Sequence, residues 1–121
     1  MNIYTSYFAK ALKLDQSKYM VVGIARTTPM DAKIAIIPTF APSSDLLMMY
    51  KGNRIDNETY TFIYREEMKY IDIREELKTI APLAKGRDLV LCCWEGKGKF
   101  CHRHILADII KETYNYQVNE L

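Results

Sequence analysis

The sequence predicts an α/β fold: a single three-layer domain over residues 1–121, with a mostly parallel sheet of about four or five strands and helices on both faces. Two unbroken apolar runs, at residues 19–25 and 89–94, have the character of strands covered on both sides, where no residue has to alternate toward water. Amphipathic stretches alternate with these runs. In the last of them His102, Ile105, Leu106, Ile109 and Ile110 recur at helical spacing. A length of 121 residues with 49% hydrophobic side chains suits one core, and no repeat, low-complexity tract or linker divides it.

The chain opens on a short aromatic strand over residues 3–8, followed by a polar link, helical in part, through Leu12 and Leu14 to Ser17. The strand over 19–25 ends at Arg26, which sets a cation at a strand's carboxyl end. Residues 32–44 hold Pro38 and Pro42 around Phe40 and read as an extended loop, placed to act as a lid, with a short strand at 34–37. Ser43 or Ser44 caps a helix over 45–50 that Gly52 ends, because a hydroxyl accepts from an otherwise unpaired amide. From Asn57 onward Tyr60, Ile63, Tyr64 and Met68 approximate helical spacing toward Ile71. Asp72 caps the next helix, whose stripe is Ile73, Leu77, Ile80 and Leu83; Pro82 removes an amide and is expected to kink or end it before Gly86. A strand over 88–94, the terminal helix and an edge strand over 116–119 complete the chain. The stripe of the terminal helix turns His102 inward and leaves His104 on the far side with Asp108 and Lys111.

Lys and Arg total 17 against 15 acidic residues, a net charge of +2 that lacks the strongly basic balance of a dedicated nucleic-acid module. No apolar run approaches the roughly 18–20 residues that cross a bilayer, and the amino terminus has no basic start followed by an apolar core. No membrane partner is expected. Cys92, Cys93 and Cys101 are odd in number and clustered, unlike a secreted disulfide framework, so a cytoplasmic location with reduced thiols is expected.

Chemistry concentrates between residues 89 and 110, where a predicted strand gives way through a loop to a predicted helix. Open α/β sheets bind ligands at such strand ends. Alternation along the strand puts Cys93 and Glu95 on one side and Cys92 and Trp94 on the other. Cys101, at a helix amino terminus beside His102 and Arg103, is the better nucleophile, since that setting enriches the thiolate. Cys93 can sit beside it. Glu95 can pair with His102 or Arg103, holding a tautomer or a guanidinium. Gly96, Lys97, Gly98 and Lys99 precede the helix, and glycines with lysines at that place suit an anion. Arg26 and Arg103 can converge on the same spot. The bland readings are packed thiols, a loop-locking His102, an Arg103 to Glu95 clamp and a solvated lysine turn.

Several other centres fit the spacing poorly. The P-loop pattern is absent, and a phosphatase loop needs arginine where Lys99 follows Cys93 and Gly98 follows Cys92. Zinc favours closely spaced pairs, whereas here Cys93, Cys101, His102 or His104 and Glu95 would crowd together, so neither metal nor cofactor is expected. A disulfide between Cys93 and Cys101 is geometrically possible but lacks Cys-x-x-Cys spacing.

Cys93-Trp94-Glu95, five residues, then Cys101-His102-Arg103, entered from an apolar strand and left on an apolar helix, resembles the Cys-x-Glu, five residues, Cys-His-Arg signature of the domain of unknown function 488 family. Ile3-Tyr4-Thr5 resembles that family's opening strand, and Ile24-Ala25-Arg26 with Pro29 its Asp-Val-Arg segment, with Ile24 in place of the acidic residue. Thr5-Ser6-Tyr7 replaces a glycine-containing turn, as in a short branch. The resemblance implies a compact α/β fold with a site at this loop, and no particular reaction or cofactor.

The functional expectation is a site for a small anionic or nucleotide-type ligand. In an enzyme acting on a nucleotide, nucleic acid or phosphorylated small molecule, Cys101, His102, Glu95 and Cys93 carry the chemistry while Arg26, Lys97, Lys99 and Arg103 hold the anion. The alternative is a non-catalytic module that captures a ligand or partner through the same cleft.

Overall fold

In the computed structural model, which describes residues 1–121, five strands build one parallel sheet. They are β1 (Ile3–Tyr7), β2 (Tyr19–Gly23), β3 (Ala35–Ile36), β4 (Asp88–Cys93) and β5 (Val118–Glu120), in the order β3-β2-β4-β1-β5. β4 is central, pairing in register with β1 (Leu91 with Thr5) and with β2 (Leu91 with Val22). Leu89, Val90, Leu91, Cys92 and Cys93 are all sealed from solvent, which is why this run carries no polar alternation. The expected parallel sheet and its strand count hold.

Helices lie on both faces, very unequally. Ile3, Met20, Val22, Leu89 and Leu91 turn to the face covered by α2 (Ser44–Lys51), α3 (Asn57–Met68), α4 (Ile73–Ala84) and α5 (His102–Tyr114), and the main core forms there. The opposite face is covered by α1 (Phe8–Ala11), through Phe8 and Ala11 on Val90 and Cys92. The polar link read as partly helical begins earlier than expected, at Phe8, because Phe8 has a sheet face to cover. No helix is long and apolar enough to cross a membrane.

Three helix starts are capped by side chains, at Ser43 and Asp72 as read from the sequence and at Asp56, which that reading did not assign. Ser43, Asp56 and Asp72 accept from the amides of Leu46, Thr59 and Glu75 at 3.1, 2.8 and 3.1 Å. Ser43 also donates from its hydroxyl to Glu67 at 2.5 Å and from its amide to the same carboxylate at 2.9 Å, tying α2 to α3. Ser43→Ala is therefore expected to lose about 1–2 kcal/mol, more than a surface cap. Urea midpoints check this, and an unchanged midpoint removes Ser43 from the link between the two helices. As expected, α4 ends before Gly86: it runs two residues past Pro82 to Ala84, ending where Lys85 and Gly86 take positive φ of 50° and 85°.

Candidate functional site

The chain leaves neighbouring strands β2 and β4 in opposite directions, toward β3 on one side and across β1 to β5 on the other. Such a divergence opens a crevice at the carboxyl ends of the strands. A cleft of about 260 Å³ lies there. Ala25, Arg26 and Thr27 line it from beyond β2, Trp94 and Glu95 from beyond β4, and His102 from the start of α5. Its outer wall comes from Tyr50 and Lys51 of α2, Tyr60 of α3, and Phe100.

The aromatic wall is rigid. Tyr50, Tyr60 and Phe100 meet with ring centres 5.0 to 5.4 Å apart. Trp94 remains 48% exposed, yet it is held at both ends. Its Nε1 donates to the Thr27 carbonyl and hydroxyl at 3.1 and 3.0 Å, and its ring packs edge-on against Phe8 at 5.0 Å. Arg26 donates to the Pro42 carbonyl at 3.3 Å, which ties the end of β2 to the segment before α2. Glu95 is exposed at the mouth. Burial, and next the nearby Glu95 charge, raise the Tyr60 pKa, so its phenol stays a proton donor at neutral pH.

Behind this cleft lies the second half of the centre. Cys93 at the end of β4 and Cys101 at the N-cap of α5 form a disulfide, and both are buried. Reduced thiols, the expectation from composition, are thus replaced by a bonded pair. His102 donates from Nε2 to the Ile24 carbonyl at 2.7 Å. A carbonyl only accepts, so the proton sits on Nε2 and the bare Nδ1 faces Cys101 Sγ at 3.6 Å. Burial foremost, with the charge of Arg103 adding to it, pushes this imidazole down to about 4, and it is neutral at pH 7.

Arg103 is fully buried and engaged on every side. Its Nε and Nη2 donate to the Glu120 carboxylate at 3.2 and 2.9 Å, Nη1 to the Glu95 carbonyl at 2.5 Å and to Cys93 Sγ at 3.1 Å, and Nη2 to the Gly96 carbonyl at 3.2 Å. The clamp read from the sequence is present with different partners. Arg103 grips the backbone of Glu95, and the carboxylate it pairs with belongs to Glu120. Burial raises the Glu120 carboxyl, but the bonds from Arg103 and Thr5 outweigh it and leave the pKa lowered.

A family profile, DUF488-N3a, described as the active DUF488-N3 subclade, matches residues 7–114. The chain belongs to this family. No curated protein and no solved structure matches it. Both halves of the centre in this DUF488-N3a chain fall within the matched span, whereas Glu120, which anchors Arg103, lies beyond it. Ile3, Tyr4 and Thr5, read as the family's opening strand, likewise precede the match.

Of the expected site residues, Glu95, His102 and Arg26 meet at the cleft, while Cys93, Cys101 and Arg103 stand inward of it. Lys97 and Lys99 are exposed and line no part of it, since the turn closed by the Lys99 amide on the Gly96 carbonyl points outward. Gly98 serves that turn, with φ of 74°. Sequence reasoning placed Tyr60 on a helical stripe and did not assign Tyr50, Lys51 or Phe100 to the site. Trp94 reaches the cleft, whereas Phe40 is buried, Tyr4 faces Tyr19, and Tyr7 lies beside Arg103. No pattern within α2 or α3 marks their cleft residues, because only helix packing brings them to β2 and β4. Cys92, on the opposite face, is an inert core thiol, its pKa pushed up to about 12 by burial.

Proposed function

We propose that the cleft beyond β2 and β4 is an active site for a small anionic ligand bearing a flat ring, of nucleotide type. One observation carries this reading: rigid aromatic walls, two cations and a single carboxylate converge where the chain diverges from the sheet. Trp94 and Phe100 offer ring faces, and Arg26 with Lys51 neutralises the anion. The volume of about 260 Å³, below the roughly 300–1,000 Å³ usual for larger ligands, favours a mononucleotide or a smaller phosphorylated compound. Glu95 then moves the proton in a hydrolytic or group-transfer step, with the Tyr60 phenol donating a hydrogen bond beside it. His102 acts as a positioning residue, since both of its nitrogens face internal partners. The description of the subclade as active supports an enzyme, and we place it in the cytoplasm, where the two thiols are kept reduced.

The bonding of the two sulfurs to each other and the bond from His102 Nε2 to the Ile24 carbonyl favour one other reading, a module that binds this ligand class without turnover. Thermal shift against nucleoside mono- and diphosphates and sugar phosphates, followed by product analysis of the hits, separates the two. Expected are a rise in melting temperature that Arg26→Ala and Trp94→Ala each reduce, and turnover that Glu95→Gln abolishes while binding persists. A hit that is never turned over leaves the binding module. If no compound of these classes shifts the protein, or if the shift survives both substitutions, the cleft reading fails.

A further inference from the structure

Cys93 Sγ, Cys101 Sγ and a ring nitrogen of His102 lie within 4.8 Å of one another, buried at the junction of β4 and α5, and Nδ1 is 3.6 Å from Cys101 Sγ. We infer that the reduced Cys93 and Cys101 pair, together with His102, is a site for a soft or borderline d10 cation such as zinc. The cleft chemistry proposed above uses neither sulfur, so this inference stands apart from it.

Three features of the surroundings belong to a metal site. The first is the second bond of the histidine. Its Nε2–H is held by the Ile24 carbonyl at 2.7 Å, the outer partner that fixes the tautomer and aims the other nitrogen of a ligating histidine. The second is the span between the cysteines. Their Cα atoms are 7.5 Å apart, wider than the ~4.4–6.8 Å over which disulfides usually form. Zinc sits about 2.3 Å from each thiolate and about 2.0 Å from an imidazole nitrogen, and a wide span leaves room for it between the sulfurs. The third is charge. Two thiolates cancel one dication, and Arg103, which donates to Cys93 Sγ at 3.1 Å, is itself cancelled by Glu120 at 2.9 Å. A loaded centre is therefore neutral, as burial demands. Spacing along the sequence argued against zinc because no close cysteine pair is present; the strand-to-helix turn supplies the proximity instead.

The metal and the disulfide exclude each other. A phosphine reductant takes oxygen from water, becomes the phosphine oxide and passes two electrons and two protons to the disulfide, leaving two thiols. Binding of the dication then releases the two thiol protons to solvent.

Reduced, desalted full-length protein titrated anaerobically with Co²⁺ and then Zn²⁺ tests the inference. One equivalent of Co²⁺ is expected to give thiolate-to-metal charge transfer in the near ultraviolet and intense visible bands of tetrahedral cobalt, both erased by Zn²⁺. Cys93→Ser and Cys101→Ser should each lose about half of the charge-transfer intensity, His102→Ala should weaken Zn²⁺ at least ~10-fold, and Cys92→Ser should match wild type. Zn²⁺ should also raise the melting temperature of the reduced wild type and leave that of the disulfide form unchanged, which keeps the test decisive should a variant fail to fold. Absence of cobalt bands and of zinc stabilisation in the reduced wild type overturns the inference. So does wild-type affinity in folded Cys93→Ser and Cys101→Ser.

Discussion

Replacement of Arg103 by alanine is expected to cost about 3–5 kcal/mol and to leave the protein largely unfolded at room temperature in mild urea. The guanidinium is fully buried, and its removal strands a carboxylate and two carbonyls at once. Glu120 loses its ion pair at 2.9 Å, and the carbonyls of Glu95 and Gly96 lose donors at 2.5 and 3.2 Å. Thr5, which donates to Glu120 at 2.5 Å, then holds the carboxylate alone. Leaving such groups without partners costs more than the intact pair contributes, because their desolvation is no longer offset. Arg103→Lys should recover only part of the loss, since an ammonium cannot reach Glu120 and the loop carbonyls together. Glu120→Gln should be milder than either, because its amide oxygen still accepts and the site is partly open to water. Urea midpoints followed by circular dichroism rank the three. An Arg103→Ala midpoint within about 1 kcal/mol of wild type would show that the β4 to α5 turn holds without the clamp.

The second large effect is on acid stability. His102 has a folded pKa of about 4 against a reference of 6.5, chiefly because burial disfavours its charged form. Above pH 6.5 the imidazole is neutral in both states and costs nothing. As pH falls from 6.5 toward 4 the unfolded chain takes up a proton that the folded chain refuses, so stability declines over that window and levels off below it. The shift corresponds to at most about 3 kcal/mol. Glu120, with its lowered pKa, adds a loss in the same direction, in the acid range below the ordinary carboxylate value. Urea midpoints from pH 7.5 to 4 in the presence of a chelator measure the decline. His102→Gln, which keeps a donor for the Ile24 carbonyl without titrating, should flatten the curve between 6.5 and 4. A wild-type curve already flat there would mean that His102 protonates in place.

The caps show what was legible. Ser43 and Asp72 act on amides three positions away, so a local pattern determines them; Asp56 does the same, although the reading began that helix at Asn57 without naming its cap. The same holds for β4, whose unbroken apolar run has no reading other than burial on both faces, and for His102, turned inward by the period of α5. That Cys93, Cys101, His102 and Arg103 lie between one strand and one helix was likewise local information. Arg103 marks the boundary. Its burial was not expected, because the carboxylate that satisfies it is Glu120, on a separate strand.

By itself, then, the sequence determined the parallel α/β class, the capped starts at Ser43 and Asp72 and the strand-to-helix setting of Cys93, Cys101 and His102, all consequences of periodicity and of bonds between near neighbours. The tertiary structure decided the rest: that α2 to α5 share one face of the sheet, that Tyr50, Lys51, Tyr60 and Phe100 wall the cleft, and that Lys97 and Lys99 do not. It also decided that Cys93, Cys101 and His102 meet. Those outcomes depend on which side each crossover takes and on how helices distant in sequence pack, and neither leaves a periodic trace in the chain.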